Sequence, residues 1–178
     1  MQKSADHTQL HVAELPLWWA ACLTLFVVLC GCGSVETDLR KEIESLEQQA
    51  FEGDSLLPDV ASMLMVRYAE LARRHPEDPF VAEALFRRAD LLMAAGKHDD
   101  AILQLQDLHD GFPAFDKRAR CAFLVAFIYE TSLKDFELAE RSYARVISLH
   151  PGTFEAKISS ESLRALERQR AQSRGVLN

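Results

Sequence analysis

Residues 134–151 read KDFELAERSYARVISLHP. Ala139, Tyr143, Val146 and Ile147 recur at spacings of three and four, so they share one face of a helix. Pro151 ends that helix, because it lacks an N–H and disfavours helical geometry in the residue before it. The same punctuation occurs twice upstream. In GKHDDAILQLQDLHDGFP, residues 96–113, Ala101 precedes Pro113 by twelve residues, as Ala139 precedes Pro151. Leu105 and Leu108 there take the places of Tyr143 and Val146. In MLMVRYAELARRHP, Leu64, Tyr68 and Leu71 stand at the same offsets before Pro76. The prolines are 37 and then 38 residues apart. Three copies in register identify a helical repeat.

The remaining pattern completes an all-α reading. Helices are expected over about 36–51, 59–75, 80–95, 98–110, 115–132, 135–149 and 154–172. Leu39, Ile43, Leu46 and Ala50 form the apolar stripe of the first. FEGDSLLP, with Gly53 and Pro58, reads as a loop, HPEDP breaks the chain after the second helix, and Gly96 ends the third. Ile158, Leu163 and Leu166 are expected to face inward from the seventh. No stretch alternates as a strand does.

Two helices per unit at this length resemble the tetratricopeptide repeat. That family's pattern has a bulky residue at position 4, small ones at 8 and 20, a large apolar one at 11, Gly at 15 and Pro at 32. The middle repeat supplies Leu85, Ala89, Leu92, Gly96, Ala101, Leu105, Leu108 and Pro113, with Arg88 where Leu is usual. The third supplies Ala122, Val125, Ala126 and Tyr129, then one extra residue before Ala139, with Leu133 where Gly would stand. The first matches in its second helix. The resemblance implies an all-α TPR-type helical solenoid of three helix-turn-helix repeats, about 37–76, 80–113 and 116–151, capped by 154–172, with 173–178 as a tail. Small residues at the crossings let paired helices approach to the 8–10 Å or so of close contact.

The N-terminus carries a different signal. Leu15 to Cys30 is an apolar run of 16 residues, shorter than the roughly 20 of a membrane span. It suits the core of a signal peptide. Leu29-Cys30-Gly31-Cys32 resembles a bacterial lipobox, which implies that 1–31 is a lipoprotein signal peptide cleaved before Cys32. The Cys32 thiol and new amino group would then carry lipid, with 32–36 as anchor and tether. Lys3 is the only cation of the leader and Cys30 is unusual in a lipobox, so a short uncleaved anchor and an ordinary secretion signal remain alternatives. Gly33, rather than Asp, after the Cys implies export to the periplasmic side of the outer membrane, with inner membrane or periplasm as alternatives.

Composition is that of a globular protein, with 48% apolar and 26% charged residues. The net charge of −7, or −6 once Lys3, Asp6 and Glu14 are removed, offers no basic field to nucleic acid. Of four cysteines, 22, 30 and 32 crowd the leader, which leaves Cys121 as a buried structural thiol in CAFLVAFIY. His75 and His150 share the position before the proline, an architectural spacing rather than a metal pair. No nucleophile–base pattern, phosphate-cradling loop or metal-ligand spacing is legible, so no enzyme, cofactor or metal is implied. The cations Arg164, Arg168, Arg170 and Arg174 suit a helix C-terminus, with contact to anionic lipid or to an acidic partner as alternatives.

By the family's register, positions 2, 5, 9 and 12 of each first helix face the groove of the solenoid. Here they are Glu83, Phe86, Asp90 and Met93, then Arg120, Phe123, Phe127 and Glu130, while Glu140 falls on the opposite face. Three phenylalanines with flanking charges imply a protein or peptide partner held in that groove; the other reading packs them against each other or under helix seven. Phe86 and Asp90 occupy places where the family's carboxylate clamp needs Lys and Asn, so chaperone tails are not implied. The resemblance thus implies a membrane-anchored scaffold, of similar architecture to the repeat lipoprotein of the outer-membrane β-barrel assembly machinery. Alternatives are a periplasmic coordinator of cell division and peptidoglycan synthesis, or a regulatory subunit of an envelope enzyme.

Overall fold

The computed structural model describes residues 32–51 and 57–176, and side chains within 38–50 and 57–172. The expected leader and its apolar run lie outside the described residues. Backbone contacts divide the chain into 1–38 and 39–178, and the second unit carries the repeats. Among the described residues there are seven helices and no strand: α1 Cys32–Phe51, α2 Pro58–Arg74, α3 Val81–Ala94, α4 His98–Gly111, α5 Arg118–Thr131, α6 Phe136–Leu149 and α7 Phe154–Val176. Each lies within a few residues of its expected range. Two ends differ. The helix of α1 already runs through 33–36, where a tether was expected, because nothing from Ser34 to Asp38 breaks a helix. The helix of α7 continues to Val176, into the expected tail.

Each helix from α2 to α7 packs on the next, and α7 also reaches α5. The architecture is that of a TPR-type helical repeat. Its period shows in the backbone. His75, Phe112 and His150 cap α2, α4 and α6 with φ, ψ of −133°, 60°; −121°, 76°; and −128°, 52°. Each donates its N–H to a carbonyl four residues back, on Leu71, Leu108 or Val146. Each then accepts at its own carbonyl the N–H three residues on, from Asp78, Phe115 or Thr153. The prolines at 76, 113 and 151 sit inside these matched turns, where they have no ladder bond to lose.

The core is built as the sequence pattern requires. Ala89, Ala101, Ala126 and Ala139 are fully buried, as are Leu105, Leu108, Tyr143 and Val146. On α7 the inner stripe is Ala156, Ser159 and Leu166, with Leu163 half-buried. Ile158, expected on that stripe, sits beside it and is half-buried, because the spacing of three and four runs 156, 159, 163, 166.

The turn between paired helices is solved twice. Gly96 takes a φ of 71° between α3 and α4. In the third repeat the extra residue, Lys134, takes the left-handed φ of 56°. A side chain is strained there. A Cβ on Gly96 would meet nothing within 4 Å, so its substitution tests backbone strain alone. Gly96→Ala is expected to cost about 1–2 kcal/mol, and Lys134→Gly to add about 1 kcal/mol, less the entropy glycine loses on folding. Urea unfolding midpoints measure both.

Candidate functional site

The eight expected groove residues lie on α3 and α5, the first helices of repeats two and three. The structure places them unequally. Phe86 is 4% exposed and belongs to the core, which corrects its assignment to an open face. Phe115, in the turn before α5, packs on it at 6.0 Å between ring centroids. The Lys117 ammonium and the Arg120 guanidinium cover the ring at 5.0 and 5.8 Å. A cation over an aromatic face is attracted by the ring's quadrupole, so this cover is favourable as well as steric.

The α5 phenylalanines differ. Phe123 is half-buried, stacked on Phe127 at 6.1 Å and tilted against Tyr143 at 5.9 Å. Phe127 is 43% exposed. Asp90 and Arg120 are exposed, and Met93 is half-buried against the core. The open surface is therefore an aromatic shelf, Phe123 and Phe127, with exposed Asp90 on the first helix of repeat two and exposed Arg120 on that of repeat three.

The carboxylates at the ends of this row are partnered. Glu83 accepts from Lys117 at 2.6 Å and Arg87 at 3.1 Å, and Arg87 also donates to Glu47 of α1 at 2.7 Å. Burial pushes the Glu83 carboxyl up, but the hydrogen bonds from Lys117 and Arg87 outweigh it and hold the group below its ordinary value. Glu130 accepts the Tyr143 hydroxyl at 2.6 Å. Glu140 does not lie open on the far side either, since Arg170 of α7 pairs with it at 2.7 Å.

The Tyr143–Glu130 bond has a counterpart that the sequence alone did not show. Tyr68 stands eight residues before Pro76, as Tyr143 does before Pro151, and it donates to Glu47. Matching the two pairs puts Leu39, Ile43 and Leu46 of α1 level with Ala122, Ala126 and Tyr129 of α5. So α1 is the first helix of repeat one, disguised by a longer connection and by Ile43 in a place otherwise held by alanine. The middle repeat carries Leu105 and Met93 at the corresponding places, an apolar pair of residues within one core cluster. The periodic tyrosine was the available signal, because a buried phenol needs an acceptor.

Arg40 takes the place in α1 that Phe86 and Phe123 take in α3 and α5. It binds the carboxylate of Asp78, in the turn after α2, and lies 4.9 Å over the Phe80 ring, with Arg87 5.3 Å from the same ring. The Arg40 hydrogen bond, against the effect of burial, keeps the Asp78 carboxyl below its ordinary range.

Cys121 is fully buried, as expected, and burial followed by the nearby Asp90 charge pushes its thiol up to about 12. A thiol held protonated at neutral pH is a poor nucleophile. Cys32 is the first residue of α1, and its side chain lies outside the described residues. Among the described residues no helix is long and apolar enough to cross a membrane.

Residues 83–114 match the family model of the tetratricopeptide repeat. That span takes in most of α3, all of α4 and the proline that follows, and so falls on the middle repeat read from the sequence. The paired helices, the matched turns and this match make the fold a tetratricopeptide-type helical repeat, a build whose repeats generally mediate binding between proteins. A comparison with curated proteins finds no match.

The two buried phenols give a pH-dependent prediction. Burial first, then the facing carboxylate, raises both Tyr68 and Tyr143 above the ordinary value of 10. The unfolded chain ionises these phenols more readily, so their contribution is complete below pH 10 and is lost as pH rises beyond it. Tyr143→Phe is expected to cost about 1 kcal/mol at pH 7 and to flatten part of the alkaline decline. Urea unfolding of both forms across pH 7 to 11 measures this.

Proposed function

We propose that this chain is a non-enzymatic, membrane-anchored scaffold that holds a partner protein on the first-helix face of repeats two and three. The observation that carries the reading is Phe127, exposed to 43% while its ring stacks on Phe123. An exposed aromatic on a rigid helix offers a large contact area with little side-chain entropy to lose, and such residues anchor protein interfaces. Asp90 and Arg120 give that surface charges of both signs, which suits a partner segment with an apolar centre and polar ends. The anchor rests on Cys32, which ends the lipobox-like Leu29-Cys30-Gly31-Cys32. Acyl chains hold a protein at a bilayer because each buried CH₂ contributes about 0.8 kcal/mol. On this reading the protein acts in envelope or outer-membrane protein assembly, on the periplasmic side of the outer membrane.

A photoreactive residue at position 127 is expected to capture a protein that one at Leu103 does not. Leu103 is 60% exposed on α4, the second helix of its repeat, and so controls for exposure. Equal capture at both positions, or capture at neither, overturns binding on this face. For the anchor, radioactive palmitate is expected to label the chain and to be lost in Cys32→Ser. Label that survives the substitution removes lipidation of Cys32 from the account.

A further inference from the structure

His109 and His150 meet where repeat two joins repeat three. Their Nε2 atoms are 2.9 Å apart and the rings stand nearly perpendicular. His109 lies in the last turn of α4 and is 7% exposed, while His150 caps α6. The far nitrogen of His109, Nδ1, is 2.6 Å from Oδ1 of Asp110. A carboxylate accepts there, so Nδ1 carries a proton. The tautomers of the pair then follow. If His109 is neutral, its Nε2 is an acceptor and His150 donates to it from Nε2. If His109 is a cation, its Nε2 donates and His150 is neutral, with its proton on Nδ1. Both states keep the bond, and both place one proton between the facing nitrogens. A second would set two N–H groups and two positive charges against each other at hydrogen-bond distance.

We infer that this histidine pair is an acid-sensitive interlock between repeats two and three, closed while it shares one proton and opened when both rings are charged. The surrounding groups favour one cation but not two. Asp110 of α4 faces His109, and Arg145 of α6 lies 3.7 Å from Asp110 and takes up part of its charge. Arg118 of α5 donates to the His109 carbonyl at 2.8 Å and its charge opposes a cation on His150. Glu155 of α7 acts in the other direction, more weakly. Burial first, then the charge of His109, keeps the His150 imidazole below its ordinary 6.5. The sign is therefore set: the unfolded chain binds this proton more readily, the interlock contributes fully above pH 6.5, and its contribution falls as the pH drops below that value. The elements it joins flank α5, so its release loosens the helix that carries Phe123 and Phe127.

The test uses the full chain and two readouts. Histidine ¹³C NMR across about pH 8 to 5 is expected to show His150 titrating with a midpoint below 6.5, coupled to a shift of the His109 signal. Urea midpoints over the same range are expected to fall with acid in the native chain. In His150→Gln the amide can still donate to His109 but cannot titrate, so that part of the acid decline should disappear. His75→Gln and His98→Gln should leave the decline in place. Two rings that each take a proton at or above pH 6.5 in the folded chain overturn the interlock. So does an acid decline unchanged in His150→Gln. The NMR arm reads the native chain and decides the matter even where the variant does not fold.

Discussion

Close approach of paired helices is the constraint from which the rest follows. In repeats two and three it rests on alanines with no exposed surface, Ala89 with Ala101 and Ala126 with Ala139. Side chains without a γ-carbon let two helices meet near the lower end of the distances they adopt. Larger residues then fill the space on either side, and Leu105, Tyr143, Leu108 and Val146 are buried completely. Repeat one departs from this. Ile43 and Leu64 stand where alanines would, and larger side chains at a crossing set a wider separation. That pair still buries Leu39, Ile43 and Leu46 against Leu64, Tyr68 and Leu71, and polar bonds line its margin: Arg67 to Glu42, Tyr68 to Glu47, and Arg40 to Asp78 in the turn that follows.

The same packing decides which parts of the first-helix face are free to bind. A helix face turned outward by its register still borders the preceding turn and the next helix. Phe86 is claimed by Phe115, Lys117 and Arg120, and Glu130 by Tyr143. Glu83 is held in a row of ion pairs running from Glu47 through Arg87 to Lys117. What stays open is narrower than the repeat register suggests, and it is concentrated on α5.

The fold was legible because its signal is periodic. Prolines at 76, 113 and 151, each with apolar residues at fixed offsets, specify helix ends and faces without any knowledge of contacts. Helix existence followed from that, and only α1 and α7 run more than one residue beyond their expected ends. The candidate site was less legible, since register gives the direction of a side chain but not its neighbours. Phe86 and Phe123 hold the same repeat position, yet residues outside the repeat pattern, Phe115 and Lys117, bury only the first. The meeting of His109 with His150 was hidden for a related reason. The two occupy different positions in successive repeats, so a comparison of like with like pairs His150 with His75.

Glu47 receives both the Tyr68 hydroxyl of α2 and the Arg87 guanidinium of α3. One side chain of α1 therefore serves two later helices, and Leu39, Ile43 and Leu46 share a core cluster with Leu64, Tyr68 and Leu71. A fragment begun at Glu83, where the family match starts, would discard most of that cluster, cut Val81 from the first turn of α3 and leave Ala84 without its cover. A piece that keeps this cluster whole accordingly starts no later than Leu39, well before the stretch that family resemblance would mark out.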